Sequence, residues 1–270
     1  MTTGKLFATA WEFDPSIVVG CVLLLAVYFI AVRFRFDRAG ATYAGGVLLL
    51  FLSLVSPLDA LGDDYLFSAH MLQHIVLDLV APVMFVCGLP ETMVRGWLRW
   101  GPINRTERVL GQPVVAWLLG SGTLWVWHLP YLYNLTLANE NIHIFEHITF
   151  LVTGTILWWP VFSPIRERRL APLISIVYLF LASLANGLLG IFFTLANTAF
   201  YPGYLHPDDE LGALSLIRNT WGLDPVADQK LGGAFMWVIG SVIFLWAILV
   251  MVARWYSEGE AISDQRIAAG

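Results

Sequence analysis

The chain has 270 residues, of which 58% are hydrophobic and only 13% are charged, and its mean hydropathy is +0.70. A soluble domain carries roughly a quarter charged residues, so this composition excludes an ordinary soluble protein. The formal net charge of −5 says little by itself, and we expect no nucleic-acid partner. Cys21 and Cys87 lie far apart, which excludes a disulfide framework and a thiolate metal motif.

Long apolar stretches occupy most of the chain. A helix needs about 20 apolar residues to cross roughly 30 Å of hydrocarbon. Seven stretches meet this requirement, at residues 15–32, 42–57, 66–87, 114–132, 142–162, 172–196 and 231–255. The sequence therefore predicts an all-α, polytopic membrane protein, with one seven-helix domain over residues 1–270 that includes a flexible cytoplasmic tail over 256–270.

Positive and acidic loops alternate along the chain. The first, third and fifth connections hold Arg33, Arg35, Arg38, Arg95, Arg99, Arg105, Arg108, Arg166, Arg168 and Arg169. The other connections are acidic or neutral, and Asp59, Asp63 and Asp64 lie in the second connection, between stretches 42–57 and 66–87. Because cytoplasmic loops carry an excess of Lys and Arg, this pattern predicts an N-terminus outside and a C-terminus in the cytoplasm.

Two of the apolar stretches carry paired histidines. His70 and His74 are four residues apart, so they share one helix face, which continues to Asp78. His143 and His147 repeat the spacing in the fifth stretch. Ionisable residues inside a membrane span are costly and by default mark a functional site.

The predicted topology places the histidines at one depth. His128, near the end of the fourth stretch, joins the two pairs in the outer half of the membrane, and Met236 lies at a similar depth in the seventh stretch. His206 lies in the long outer loop before the seventh stretch, which we expect to form a lid with a short interfacial helix over residues 211–221. Histidines that serve only in packing would not be expected to lie all in the same half of the membrane.

Imidazole suits copper, zinc and iron, whereas thioether favours Cu(I). The pattern predicts a copper site, as Cu(I) or Cu(II), with ligands drawn from His70, His74, His128, His143, His147 and Met236. Metal-bound histidines need an acceptor for their second ring nitrogen. Asp78, Glu146 and Asp228 are the predicted acceptors, and no catalytic residue is assigned.

Other chemistries use the same residues. A b-type haem needs one histidine from each of two helices. A zinc hydrolase is suggested by His143, Glu146 and His147, which match H-x-x-E-H, a pattern in which the glutamate is a general base. Asp78 could relay protons in a transporter. A lone membrane histidine is more often an interhelical hydrogen-bond partner, but five at one depth favour a metal or haem.

An ordered set of motifs carries a family resemblance. The motifs are HMLQH (70–74), AP (81–82), GLP (88–90), WHLPYLYN (127–134), HIFEHITF (143–150), WWPVF (158–162), YPGY (201–204) and DQKLGGAFMW (228–237). Over about residues 43–255 the chain resembles the integral-membrane CtaG family of cytochrome c oxidase assembly factors, the kind associated with caa-type oxidases. Asp78 lies outside the pattern of this family.

The resemblance implies a role in making active terminal oxidase, by supplying or handling copper for its copper centres. It implies oxidase subunits and periplasmic copper donors as partners, and a bacterial inner membrane as the location. The predicted ligands His70, His74, His128, His143 and His147 match its histidine motifs, and Asp228 and Met236 match its last motif. A homodimer is left open.

Overall fold

A computed structural model describes the backbone of residues 1–269 and the side chains of residues 1–260.

Capping residues fix where several helices begin. The Asp14 carboxylate accepts from the backbone N–H of Ser16 (2.6 Å), and the Asp37 carboxylate accepts from that of Gly40 (2.9 Å). Such caps satisfy N–H groups that have no partner inside the helix. Charged and polar loop residues therefore mark the starts of the apolar helices.

Twelve α-helices occur in the described residues, besides two short 3-10 helices (Arg166–Arg168 and Pro202–Tyr204) and a π-helical turn (Leu216–Thr220). They are α1 (Thr3–Thr9), α2 (Pro15–Ala31), α3 (Arg38–Val55), α4 (Pro57–Asp64), α5 (Phe67–Gly88), α6 (Glu91–Trp97), α7 (Gly101–Leu110), α8 (Pro113–Trp127), α9 (Pro130–Ala138), α10 (Glu140–Phe162), α11 (Pro172–Leu195) and α12 (Pro225–Ala234 with Phe235–Ile239 and Gly240–Ala269). No strand occurs among these residues. The predicted all-α class is confirmed.

Five helices are long and apolar enough to cross a membrane: α3, α5, α10, α11 and α12. The helices α7 and α8 meet at a bend of 72° and make a sixth span if they are counted together. The apolar helix α2 has 17 residues and is shorter than the others. The chain is therefore a multi-pass membrane protein with five to six candidate spans, where the sequence predicted seven.

The boundaries of two predicted elements differ from the structure. The fourth stretch was expected to continue to residue 132, but α8 ends at Trp127, because Pro130 holds Leu129 in extended backbone (ψ 130°) and starts α9. The expected tail from residue 256 is helical through Ala269, while Gly270 lies outside the described residues. The cytoplasmic placement of this tail stays a prediction.

The helix α5 lies at the centre of the bundle and contacts α3, α4, α10 and α12. In its most apolar 18-residue window 72% of the residues are buried, against 28–44% in the other four long spans. Any polar side chain on α5 is therefore enclosed by protein rather than lipid. This helix carries His70, His74 and Asp78.

A proline shapes α5 beside its histidines. Pro82 has no N–H to give to the carbonyl of Asp78, four residues earlier, and α5 widens into a π-helical turn over Val76–Val80. The freed carbonyl of Asp78 presses against Gly154 of α10, where any side-chain carbon would collide with it. The two histidine-bearing helices thus meet at backbone distance.

Candidate metal centre

The histidine pairs of α5 and α10 face each other across this contact. The ring centroids of His70 and His74 are 4.1 Å apart, as are those of His143 and His147. Between the helices, His70 lies 5.2 Å from His143, and His74 lies 5.7 Å from His147. Four of the six predicted metal ligands therefore form one group, which we call the histidine cluster.

Glu146 projects into the middle of the histidine cluster. Its Oε2 lies 3.8 Å from Nε2 of His70, and its Oε1 lies 3.8 Å from Nε2 of His74. The Glu146 side chain is fully buried. The sequence predicted Glu146 as an acceptor behind the ligands, but the structure places both of its oxygens among the ligand atoms themselves.

Asp63 adds a second carboxylate, which the sequence reasoning missed. It lies in α4, where its Oδ2 is 3.6 Å from Nδ1 of His143 and its Oδ1 is 4.0 Å from Nδ1 of His70. The partly buried position of Asp63, and then the neighbouring carboxylates of Asp59 and Asp64, hold its pKa well above its usual value. The available signal was an acidic connection directly before the first histidine stretch.

The polar atoms of this region lack hydrogen-bond partners. Nine buried atoms of the described cluster are unpartnered: Asp63 Oδ1, both ring nitrogens of His70 and of His74, Nε2 of His143 and of His147, and both oxygens of Glu146. An unpartnered buried polar group costs about 1–3 kcal/mol. So many convergent orphaned groups, with imidazole and carboxylate chemistry, fit a bound metal cation.

The distances agree with this interpretation. The four nitrogen-to-oxygen separations of 3.6–4.0 Å exceed hydrogen-bond lengths. Two ligand atoms that each lie 2.0–2.2 Å from one tetrahedral metal are about 3.3–3.6 Å apart, so the 3.6 Å between Asp63 and His143 lies within this range and the other separations exceed it by up to about 0.4 Å. The side chains are therefore too far apart for direct hydrogen bonds and close to the spacing of metal ligands.

His128 and Met236, the two remaining predicted ligands, lie outside the histidine cluster. His128 Nδ1 is 2.7 Å from the carbonyl oxygen of Leu124, to which it donates, and its Nε2 is 3.1 Å from Sδ of Met71. Met236 sits in a second π-helical turn, Phe235–Ile239, and lines a cavity of about 20 Å³ with Met71, His74 and other residues. The thioethers of Met71 and Met236, with His128 beside Met71, therefore form a second group of donors next to His74.

Asp78 lines the same small cavity as Met236, and its Oδ1 has no hydrogen-bond partner. A volume of this size holds about one water molecule. Asp78 therefore lies next to His74 across a cavity, and the structure gives it no hydrogen bond to a histidine ring.

Asp228 has a different role from the one predicted. Its carboxylate accepts from the backbone N–H of Phe67 (2.7 Å) and from the N–H and hydroxyl of Ser68 (3.2 and 2.5 Å). It therefore caps α5 from α12 and does not accept a hydrogen bond from a histidine. Sequence reasoning missed this because a cap normally lies just before its own helix, whereas Asp228 is 160 residues away from Ser68.

Tyr133 of α9 packs against the histidine cluster, and Tyr201 and Tyr204 of the predicted lid pack on Tyr133. The rings of Tyr133 and Tyr201 stack at 3.8 Å, and Tyr133 lies 5.3 Å from His70. Tyr201 donates to the carbonyl of His128 (2.8 Å), and Tyr204 donates to that of Gly62 (2.8 Å). The loop before α12 thus seals the start of α5, although a single π-helical turn, Leu216–Thr220, replaces most of the expected interfacial helix.

Comparison with known proteins gives relatives in mycobacteria. The chain is 26% identical to an uncharacterized protein of Mycobacterium leprae over 285 residues, and to one of Mycobacterium tuberculosis over 286 residues. Each alignment covers 97% of this chain but 41% of the relative, so the chain spans about two fifths of these curated proteins. No solved structure matches the chain.

A family model matches most of the chain. It covers residues 24–258 and describes the cytochrome c oxidase caa3 assembly factor, Caa3_CtaG. The match includes all the helices that hold the histidine cluster. The chain therefore belongs to the family of cytochrome c oxidase caa3 assembly factors.

Proposed function

We propose that this protein binds copper in the histidine cluster and hands it to cytochrome c oxidase during assembly of the oxidase. The observation that carries the proposal is the convergence of nine unpartnered buried nitrogen and oxygen atoms between α4, α5 and α10. The family supplies the oxidase as the target. On this proposal, oxidase subunits receive the metal and copper donors outside the cell membrane supply it.

The donor set favours particular metals. Four imidazoles with two carboxylates suit Cu(II) or Zn(II), whereas Cu(I) prefers softer ligands. The thioether of Met71 beside Nε2 of His128 is a softer pair within the same bundle. The ring centroids of His74 and His128 are 5.8 Å apart, so the hard and soft donors are neighbours. Copper is the metal that both kinds of donor accept.

The alternatives fit the geometry less well. In H-x-x-E-H hydrolases the two histidines hold one zinc, whereas here His143 lies with Asp63 and His147 lies with Glu146, His70 and His74. A haem needs an open slot between its two axial histidines. The four rings of the histidine cluster pack against one another at 4.1–6.1 Å between centroids, which supports a bare ion rather than a porphyrin.

We infer seven spans in a bacterial inner membrane, with α2 as the first and α7–α8 as one bent span. The 17 residues of α2 extend about 26 Å at 1.5 Å per residue, close to the hydrocarbon thickness. The arginine-rich loops then lie in the cytoplasm and the histidine cluster faces outward. A fluorescent reporter fused after residue 270 should fold in the cytoplasm. Activity of a periplasmic phosphatase at the same position would reverse this orientation.

Metal content of protein purified in mild detergent tests the copper proposal. Wild-type protein incubated with Cu(II) and passed over a desalting column should retain copper, and the double variant His70→Ala/His74→Ala should lose it. His206→Ala is the matched control, because His206 is exposed in the loop before α12 and lies outside the histidine cluster.

Circular dichroism and gel filtration show whether each variant keeps its helical fold. A folded double variant that retains as much copper as the wild type would contradict the assignment of the site. Retention of zinc in preference to copper by the wild type would turn the proposal from copper delivery toward a zinc protein.

A further inference from the structure

We propose that the histidine cluster holds two metal positions bridged by His70, one at its mouth and one inside. The inference rests on the proposed function and deepens it. The mouth position consists of Asp63, His143 and His70. The inner position consists of His70, His74, Glu146 and His147. His70 is common to both sets.

The two nitrogens of the His70 ring face different donors. Nδ1 lies 4.0 Å from Asp63, and Nε2 lies 3.8 Å from Glu146. Neither nitrogen has a hydrogen-bond partner. A single imidazole can bind one metal through each nitrogen when its N–H proton passes to a base, and the Asp63 carboxylate, 4.0 Å from Nδ1 and partly exposed, can accept the proton and release it to solvent. The orientation of this ring therefore provides a bridge between two ions.

Exposure distinguishes the two positions. At the mouth, the side chain of Asp63 is 35% exposed and that of His143 is 12% exposed. Inside, His74 is 3% exposed and Glu146 is fully buried, while His147 is half-buried beside the apolar Ile148 and Leu151. An ion from solvent therefore reaches Asp63 and His143 before the inner donors. The mouth position is the entry point, and His70 connects it to the interior.

The carboxylate at the mouth, that of Asp63, is held in place because α4 packs against α5 and against the loop before α12. A side-chain carbon at Gly62 would lie 3.0 Å from the backbone nitrogen of His70, so the small residue lets the end of α4 rest on α5. Tyr204 donates to the carbonyl of Gly62 (2.8 Å). The side-chain amide of Gln73 donates to Asp59 (2.5 Å), which ties the start of α4 to α5. Asp63 is thereby fixed against both histidines.

Cu(II) titration of the full-length protein in detergent tests the mouth position. The wild type should bind two Cu(II) ions per chain, and Asp63→Asn should bind one. Asp64→Asn is the matched control, because the neighbouring carboxylate is exposed and outside the donor set. It should retain both ions. His143→Ala should also bind one ion, which keeps the test valid if Asp63→Asn fails to fold.

Electron paramagnetic resonance tests the bridge. Two Cu(II) ions joined by one imidazolate are magnetically coupled, so the doubly loaded wild type should show a half-field signal and less intensity at the normal field than two isolated ions. His70→Ala should abolish the half-field signal and lower the copper content. His206→Ala should leave both unchanged.

The results separate this inference from the proposed function. One Cu(II) per chain, unaffected by Asp63→Asn and His143→Ala but lost in His70→Ala/His74→Ala, would overturn the two-position arrangement and keep copper binding. Two uncoupled ions that both survive in His70→Ala would also overturn it. No copper in the folded wild type would end both proposals.

Discussion

The two ends of α10 differ in the chemistry of their buried side chains, which are polar at the first end and apolar at the last. Its first turns carry His143, Glu146 and His147 in a group of unpartnered polar atoms. Its last turns carry Leu157 and Trp158, which pack into an apolar core that includes Phe244 of α12. Trp158 stacks on Phe244 with ring centroids 5.3 Å apart, both side chains are fully buried, and Nε1 of Trp158 is the one unpartnered polar atom of this described pair. One helix therefore serves a polar site and an apolar core.

The difference shows which end stabilises the fold. Apolar burial and close packing stabilise the core end. At the polar end each unpartnered buried group costs about 1–3 kcal/mol until a ligand satisfies it. The histidine cluster is therefore maintained at the expense of stability, which is expected of a site and not of a scaffold.

The largest effect is expected from the apolar core. Phe244→Ala removes a fully buried ring and should lower the free energy of unfolding by about 3–5 kcal/mol. It should leave copper binding intact in the fraction that remains folded, because Phe244 lies outside the histidine cluster. Thermal unfolding in detergent, paired with metal analysis, measures both quantities.

Leu245→Ala is the matched control for Phe244→Ala. Leu245 is the next residue on the same helix and is 53% exposed on the apolar surface of the bundle. It should change the unfolding temperature little. If Phe244→Ala lost copper while keeping its stability, the separation of the two ends would be wrong.

Much of this division is visible in the sequence. The spacing of His70 with His74, and of His143 with His147, predicted two polar faces, and the structure brings these faces together. Helix periodicity determines which residues share a face, so local spacing was sufficient for these pairs. The all-α class followed from composition in the same way.

Long-range placement could not be predicted from spacing. Asp63 reaches the histidine cluster only because α4 folds back onto α5 at Gly62. Asp228 instead meets the start of α5 from α12, which removes it from the predicted acceptors. Both facts depend on how helices distant in sequence pack, and no periodicity encodes that.

The predicted end of the fourth stretch, which contains His128, was wrong for a local reason. The fourth stretch was read as one helix, but it ends at Trp127 before the Leu129–Pro130 turn. The ring of His128 then donates to its own helix at Leu124 and places its Nε2 3.1 Å from Sδ of Met71, while its centroid lies 5.8 Å from that of His74. A proline three residues after the last helical residue is a stop signal, and it gave the available warning.

A smaller effect, of opposite sign, is expected at the polar end. Glu146→Leu replaces a buried, unpartnered carboxylate by an apolar side chain of similar size. Removing a buried polar group that has no partner also removes its desolvation cost of about 1–3 kcal/mol. In the presence of a chelator the unfolding temperature should therefore equal or exceed that of the wild type.

Added Cu(II) should reverse this order, because a ligand that binds only the native state raises the stability of the protein that retains its site. The wild type should gain more from Cu(II) than Glu146→Leu does. Glu140→Leu, an exposed carboxylate in the first turn of the same helix, should not raise stability in chelator and should keep the full gain with Cu(II). A Glu146→Leu variant that is strongly destabilised without metal would mean that Glu146 supports the fold, and the contrast between the two ends of α10 would then fail.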